Sequence, residues 1–405
     1  MPFDFSPFFN RTLPGPSGKY GGFPTFNFVG GHNDPDGVPV DDLIAAATKT
    51  LQRDGRDLAT YGMRSGPQGY LPFRKAIAGL LKDRAAMDIT EDQVLVTSGS
   101  LQALDLVNEV LLERGDTVVI EAACYGGTMT RLARLGVNWV GVDLDAHGMR
   151  MDHLREVMDG LKAKGIKPKY IYTIPTVQNP TGSILPEERR RGMLEIAKAH
   201  DVPIFEDDCY ADLIWEGGRP PAIQALDTEG RVIYCGSFSK SIAPALRLGY
   251  IVADWPVMSR LLAVKSDGGT GALEQMVMSE YAAKFHEHVD ALNLRLRGKR
   301  DAIVEALAKE FGTTAEFTAP AGGIFVWVTL PEQIDTTHLA KIAGAEGVAI
   351  NPGAEWVADP ETGRHSLRLC FANPPIETIR EGIAKLAEIC HREYGVPVRG
   401  ANTQR

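Results

Sequence analysis

No two cysteines in this 405-residue sequence are spaced as a motif: the five, Cys124, Cys209, Cys235, Cys370 and Cys390, are odd in number and scattered, without a CxxC pair. That excludes a disulfide framework and argues against a zinc or dithiol site, and a reducing compartment is expected. Positive charge is in deficit as well, since 43 Lys and Arg face 52 Asp and Glu for a formal net charge of −9. A surface of that balance is not built mainly to hold nucleic acid or an anionic membrane. Long apolar runs are missing, and the N-terminal stretch MPFDFSPFFNRTLPGPSGKYGGF has neither the basic start nor the apolar core of a signal peptide, so no membrane span is expected and the cytoplasm is the expected location. There is no internal repeat, low-complexity tract or helix-turn-helix pattern. What is abundant is apolar material: 44% of the residues, enough for the large core of two ordinary domains without metal or disulfide staples.

The first forty residues are rich in Gly, Pro and Phe without a steady period, which predicts an irregular arm docked on the body, because its phenylalanines need a surface. From Asp41 the pattern is helical, with Leu43, Ile44, Ala47 and Leu51 on one face; a second helix enters through Pro72 and runs to about Lys82. Beyond Glu91, strands are predicted at 94–96, 118–120, 170–174, 203–205, 232–234 and 249–252, alternating with helices at 101–112, 129–135 and 186–200. Such alternation implies an α/β architecture, a mainly parallel sheet covered on both faces, with ligands beyond the carboxyl ends of the strands. A long helical stretch from about Glu280 to Phe311 precedes a smaller α+β set: a strand at 324–330, a helix near Thr337, a strand at 366–371 and a last helix at 376–391.

Four segments at strand ends carry chemical groups. Gly236-Ser237-Phe238-Ser239-Lys240, continuing to Arg247, follows the 232–235 strand. A lysine there must be paired or partly neutral, the condition a Schiff-base lysine needs. Glu206-Asp207-Asp208-Cys209-Tyr210 ends another strand with acids able to keep a pyridine nitrogen protonated. Asn179-Pro180-Thr181-Gly182 closes a third in a tight turn, with Asn179 able to donate to a phenolate oxygen. Thr97-Ser98-Gly99-Ser100-Leu101-Gln102 turns a strand into a helix whose first N–H groups suit a phosphate. Taken singly, none separates the chemical reading from a loop lysine, a helix cap or a plain turn.

Together, in this order, the segments resemble the fold type I pyridoxal phosphate (PLP) enzymes, specifically the class I and II aminotransferases of the branch that includes 2-aminoadipate, kynurenine and aromatic aminotransferases. The resemblance runs from about Gly30 to Ala387. It implies a large domain with a mainly parallel seven-stranded sheet between helices and a smaller α+β domain: residues 1–55 as arm and part of the small domain, 56–285 as the PLP-binding domain, 286–405 as the C-terminal small domain. It implies Lys240 as the residue of the internal aldimine and the acid/base, Asp207 on the pyridinium nitrogen with Asp208 less favoured, and Tyr210 and Asn179 on the ring's 3-oxygen. The phosphate falls to Gly99, Ser100, Leu101, Ser237 and Arg247, with Ser239 and Gln102 as helpers, and Tyr125 stacks on the ring. Arg368, in the strand Ser366-Leu367-Arg368-Leu369-Cys370-Phe371, clamps the substrate α-carboxylate beside Asn179 and Gly31. Tyr61 reaches the phosphate of a neighbouring subunit, so a homodimer with shared sites is expected.

Two places depart from the family pattern: Cys370, where asparagine is expected, and His32-Asn33 after Gly30-Gly31, both placed near the substrate side chain. Phe325 and Trp327, with the arm's aromatics, are candidates for an apolar lid, though aromatics at strand spacing suit a core as well. The implied reaction moves an amino group from an α-amino acid to a 2-oxo acid. Decarboxylation, β-elimination or racemisation share the same electron sink. A PLP-sensing regulator is the rival of another class, and this chain is expected to have no DNA-binding module before Gly30.

Overall fold

The computed structural model describes residues 2–10 and 15–397; the remaining positions of the arm and of the C-terminal domain lie outside the described residues. In chain order the strands are β1 Phe26–Asn27, β2 Val94–Thr97, β3 Thr117–Glu121, β4 Asn138–Val142, β5 Leu144–Asp145, β6 Gly148–Met149, β7 Ile171–Thr173, β8 Ile204–Asp207, β9 Val232–Ser237, β10 Gly249–Val252, β11 Glu316–Phe317, β12 Phe325–Thr329, β13 Val348–Ala349, β14 Asn351–Pro352 and β15 Ser366–Cys370. The helices are α1 Val40–Asp54, α2 Leu71–Ala85, α3 Ser100–Leu111, α4 Gly126–Leu135, α5 Met151–Ala163, α6 Glu187–His200, α7 Ile223–Leu226, α8 Trp255–Val264, α9 Ala272–Tyr281, α10 Phe285–Phe311, α11 Thr336–Ala345 and α12 Ile376–Tyr394.

Seven strands form the main sheet in the order β2-β10-β9-β8-β7-β3-β4. Only β10 is antiparallel to its neighbours. The period-2 alternation of apolar residues sorts this sheet into two layers: Val94, Val96, Tyr234, Tyr250 and Val252 join one buried cluster, while Leu95, Ile233, Cys235 and Ile251 join the other. Because six strands run the same way, Thr97, Glu121, Thr173, Asp207 and Ser237 end on one edge of the sheet. The second sheet, β11-β12-β15-β14, is antiparallel. Its core is shared with α10, α11 and α12 through Val326, Leu367, Leu369, Ile303, Leu339 and Ile383. Among the described residues no helix is long and apolar enough to cross a membrane.

Several expectations need correction. The arm docks only from Phe26: β1 pairs in parallel with β13, and Phe28 is fully buried. Phe3, Phe5, Phe8, Phe9, Tyr20 and Phe23 are 61–80% exposed instead, Phe3 packing on Phe5 and Phe8 within the arm. In α1, which packs on α9, the buried positions are Ala46 and Thr50; of the expected face Leu43 and Ala47 pack partly buried on the same core, while Ile44 and Leu51 stand in solvent. The helix thereby presents its small side chains to the neighbour, where two backbones approach closely. β4 on the sheet edge, and α5, α8 and α9, were not among the expected elements.

Candidate active site

A cavity of about 700 Å³ opens beyond the carboxyl ends of the main sheet, between it and β15. Ser100, Leu101, Tyr125, Asn179, Asp207, Tyr210, Ser239, Lys240, Arg247, Gly31 and Arg368, drawn from distant parts of the sequence, all line it. This is the size in which a cofactor and a small substrate are enclosed together.

Lys240 sits in the turn after β9. Asn33 Nδ2 donates to the carbonyls of Lys240 and Ile242, both at 3.2 Å, and so ties the arm to this turn. The lysine Nζ donates to Gly31 O at 2.8 Å. A Cβ at Gly31 would stand 2.4 Å from that nitrogen, so a larger residue there would displace the lysine tip. No carboxylate among the described residues pairs with Lys240, and burial lowers its pKa from the usual lysine value.

At the end of β8, Asp207 and Asp208 point to different neighbours. Asp208 is held by Arg219 Nη2 at 2.8 Å and the Tyr234 hydroxyl at 3.1 Å, outside the cavity wall. Asp207 lies in the wall: its Oδ2 accepts from the Tyr172 hydroxyl at 2.7 Å, and its Oδ1 is buried with no hydrogen-bond partner. Burial raises the pKa of this carboxyl, with hydrogen bonds from Cys209 and Tyr172 acting against the rise. Asn179 Nδ2 donates to the Tyr210 hydroxyl at 3.4 Å, and the Tyr210 ring meets Phe325 edge-on at 5.2 Å. Asn179 leads a cis peptide to Pro180. The Tyr125 ring completes this end, and Gly127 leaves it room, since a Cβ there would fall 2.5 Å from Tyr125 Cζ.

At the β2–α3 turn Gly99 has φ +82° and caps α3 without a side-chain bond, leaving the first-turn N–H groups of Ser100 and Leu101 at the wall. The Arg247 guanidinium lies across this turn, donating to Ser98 O at 2.9 Å, and a Cβ on Gly99 would stand 2.3 Å from its Nη2. A helix N-terminus, a forked cation and Ser239 thus form a cradle for a phosphate.

On the opposite wall Arg368 is 3% exposed and makes no ion pair among the described residues. Nη1 donates to Asn179 Oδ1 at 2.9 Å and Nη2 to Gly30 O at 3.0 Å, while Nε has no partner. The guanidinium lies 3.6 Å over the Trp356 ring and 5.3 Å from Phe325. A buried guanidinium met only by rings and neutral oxygens is left without a counter-charge, a place for an incoming anion.

Some expected residues are not in the wall. Ser237 spends its Oγ on the backbone of its own turn, accepting from Ser239 N at 3.1 Å and donating to Leu248 O at 3.4 Å. Gly99 and Gln102 act from behind, Gln102 Oε1 accepting from Ser98 N at 2.7 Å. Tyr61 is 91% exposed and far from lining its own chain's cavity. His32 stacks edge-on with Phe23, Trp327 lies outside the wall, and Phe325 is core under Tyr210 rather than lid. Cys370 turns its thiol to Gly30 O at 2.7 Å and does not itself line the cavity. Sequence reasoning missed the wall built by Asn351 and residues 354–358, and by Met129 and Trp139. The Asn351-Pro352-Gly353 strand-end turn was the one local signal for the first group.

The residues present fit PLP: an unpartnered buried carboxylate oxygen for a pyridinium, a phosphate cradle built where a Cβ would intrude, and an amine free of acids share one cavity. Residues 31–386 match the family model described as "Aminotransferase class I and II". The chain is 36% identical over 371 residues to aromatic-amino-acid aminotransferase 1 of Thermococcus litoralis, covering 91% of this chain and 88% of the relative. Among solved structures, the multiple substrate aminotransferase of Thermococcus profundus matches with a TM-score of 0.89 at 32% identity, over 96% of this chain and 99% of that one. The kynurenine aminotransferase of Pyrococcus horikoshii, solved in complex with pyridoxamine phosphate (PMP), matches with a TM-score of 0.86 at 34% identity over 91% of each chain.

Proposed function

Since the chain belongs to the class I and II aminotransferase family and is a PLP-dependent aminotransferase acting on amino and 2-oxo acids, we propose that Lys240 holds the cofactor and moves the substrate proton, with the surrounding wall dividing the remaining tasks. When bound, PLP supplies the electron sink that makes the α-C–H bond of an amino acid acidic. Lys240 Nζ, biased toward the neutral amine by burial, is the base that takes the α-proton and, once protonated, the acid that returns it. Asp207 holds the pyridine nitrogen in its protonated form. Tyr210 and Asn179 donate to the ring oxygen, Tyr125 covers a ring face, and Ser100, Leu101, Ser239 and Arg247 hold the phosphate. Arg368 takes the substrate carboxylate with its planar fork, orienting the bond to Cα.

The observation that carries this reading is the amine of Lys240, without an acid partner among the described residues, on the same wall as Asp207, Arg368 and the phosphate cradle. Borohydride treatment of the B6-saturated protein followed by peptide mapping is expected to place a reduced adduct on Lys240. Lys240→Ala is expected to bind the cofactor without such an adduct and to lose turnover. An adduct at another lysine, or full turnover in the variant, overturns the assignment.

The wall beyond Tyr125 includes Met129, Ala133, Trp139, Val357 and Ala358 together with Thr130 and Glu355, and the cavity's cations among the described residues are Lys240, Arg247 and Arg368. With the aromatic substrates named for the T. litoralis relative, this supports an amino acid carrying a large apolar side chain; a panel of amino acids read by cofactor absorbance tests it, and a preference for acidic side chains refutes it. Tyr61, Val40, Ile44, Leu51 and Leu58 are exposed large apolar side chains within one stretch of the chain, residues 40–61. Their exposure supports a homodimer in which Tyr61 completes the neighbour's phosphate site; an active monomer in sedimentation at assay concentration removes this proposal. The two sheets support the division into 1–55, 56–285 and 286–405, and five free cysteines suit the cytoplasm.

A further inference from the structure

We propose that Tyr172 and Thr128 form a positioning relay that sets how firmly Asp207 holds the cofactor's pyridine nitrogen; the inference rests on the assignment of Asp207 to that nitrogen. Tyr172 lies in the middle of β7, on the strand next to β8, with its ring fully buried and wedged edge-on against Phe205 at 5.6 Å. Its hydroxyl donates to Asp207 Oδ2 at 2.7 Å. That proton being used, the phenol oxygen accepts from Thr128 Oγ1 at 3.1 Å, in the first turn of α4. Thr128 is also fully buried. The relay therefore has one direction, from Thr128 through Tyr172 to the carboxylate.

Two consequences follow for Asp207. Its rotamer is pinned through Oδ2, which leaves Oδ1, buried and without a partner, as the atom for the cofactor. Its charged form is also stabilised, because a donor to a carboxylate lowers the carboxyl's proton affinity where burial raises it. The titratable groups surrounding Asp207 are Glu121, Cys124 and Tyr125 from the β3–α4 side, Tyr172 from β7, the adjacent Asp208 and Cys209, and Cys235 from β9. Lys240, Arg247 and Arg368 line the same cavity, but no cation among the described residues pairs with Asp207, whose hydrogen-bond donors are neutral. The sign is then set: the ionised carboxylate is the form that binds, its grip is lost as pH falls through its pKa, and removing a donor moves that loss to higher pH.

The test is PLP titration of the apoenzyme, read by absorbance across pH, with folding followed by circular dichroism. Tyr172→Phe is expected to weaken binding by roughly ten- to a hundred-fold, the size of a lost hydrogen bond to a charged group, and to shift the acid limb of the affinity profile upward. Thr128→Val is expected to move both in the same direction by less, and Thr128→Ser to restore them. Binding within about two-fold of wild type, or a loss that is uniform in pH with an unmoved limb, overturns the relay. Should Tyr172→Phe fail to fold, the limb of Thr128→Val decides by the same criterion. Borohydride trapping on Lys240 in the unmutated protein separates the two ideas: an adduct with unmoved limbs sinks the relay alone, whereas no adduct sinks the cofactor assignment beneath it.

Discussion

Replacing Arg368 by leucine removes a buried guanidinium while keeping an apolar side chain between Trp356 and Phe325. The structure gives the scale of the effect. Among the described residues Arg368 has no acid partner, and its two terminal nitrogens are aimed at Asn179 and Gly30 O at 2.9 and 3.0 Å, beside Lys240. A substrate carboxylate meeting that fork gains two charge-assisted hydrogen bonds, about 1.5–3 kcal/mol each. Their loss, about 3–6 kcal/mol together, corresponds to a fall in kcat/KM of roughly 10²- to 10⁴-fold. Arg368→Lys keeps the charge without the planar fork and is expected to lie between wild type and the leucine variant. The assay is the half-reaction followed by cofactor absorbance, run with an amino acid and with the amine that lacks only its carboxylate. The unmutated enzyme is expected to prefer the amino acid strongly and the leucine variant to lose that preference while binding PLP normally. The reasoning fails if the leucine variant keeps amino-acid kcat/KM within ten-fold of wild type, or if the bare amine suffers as much as the amino acid.

Gly249→Ala tests the phosphate cradle: the added Cβ would meet Gly99 C at 2.7 Å and Ser100 N at 2.8 Å, which are backbone atoms with no rotamer to yield. PLP affinity of the apoenzyme is expected to fall at least ten-fold and stability by about 1–3 kcal/mol; titration and thermal unfolding with both values unchanged would remove the claim that this approach is tight. Glu121, fully enclosed and hydrogen-bonded to Thr173 and Gln178, is carried by burial from 4.5 to about 7. A carboxyl raised on folding contributes stability that is complete below pH 4.5 and is lost as pH rises to about 7, on the order of 3 kcal/mol. Glu121→Gln should therefore gain on wild type by up to that amount between pH 4.5 and 8 in denaturant unfolding; a pH-independent difference contradicts it.

Much of the site was legible because its parts stand at strand ends, and strand ends are local events. Lys240 after β9, Asp207 closing β8, Asn179 before its proline and Gly99 opening α3 each announce a turn by residue type. A parallel sheet then delivers them to one edge without further instruction. Arg368 was legible only through the resemblance to a family, since a single arginine in a strand carries no local sign of burial.

Where chemistry-bearing turns lie along the chain, and that alternating strands and helices stack them on one side of a sheet, follows from the sequence alone, since both depend on short-range periodicity and turn chemistry. The choice of Asp207 over Asp208 for the cavity, the turning of Ser237 into its own backbone, the burial of Ala46 and Thr50 in place of Ile44 and Leu51, and the wall of residues 354–358 were decided by tertiary structure. The reason is physical: adjacent acids, two sides of one helix, or a segment more than a hundred residues away from the lysine it faces differ only in what packs against them, and packing partners are set by the assembled layers, not by neighbours in the chain.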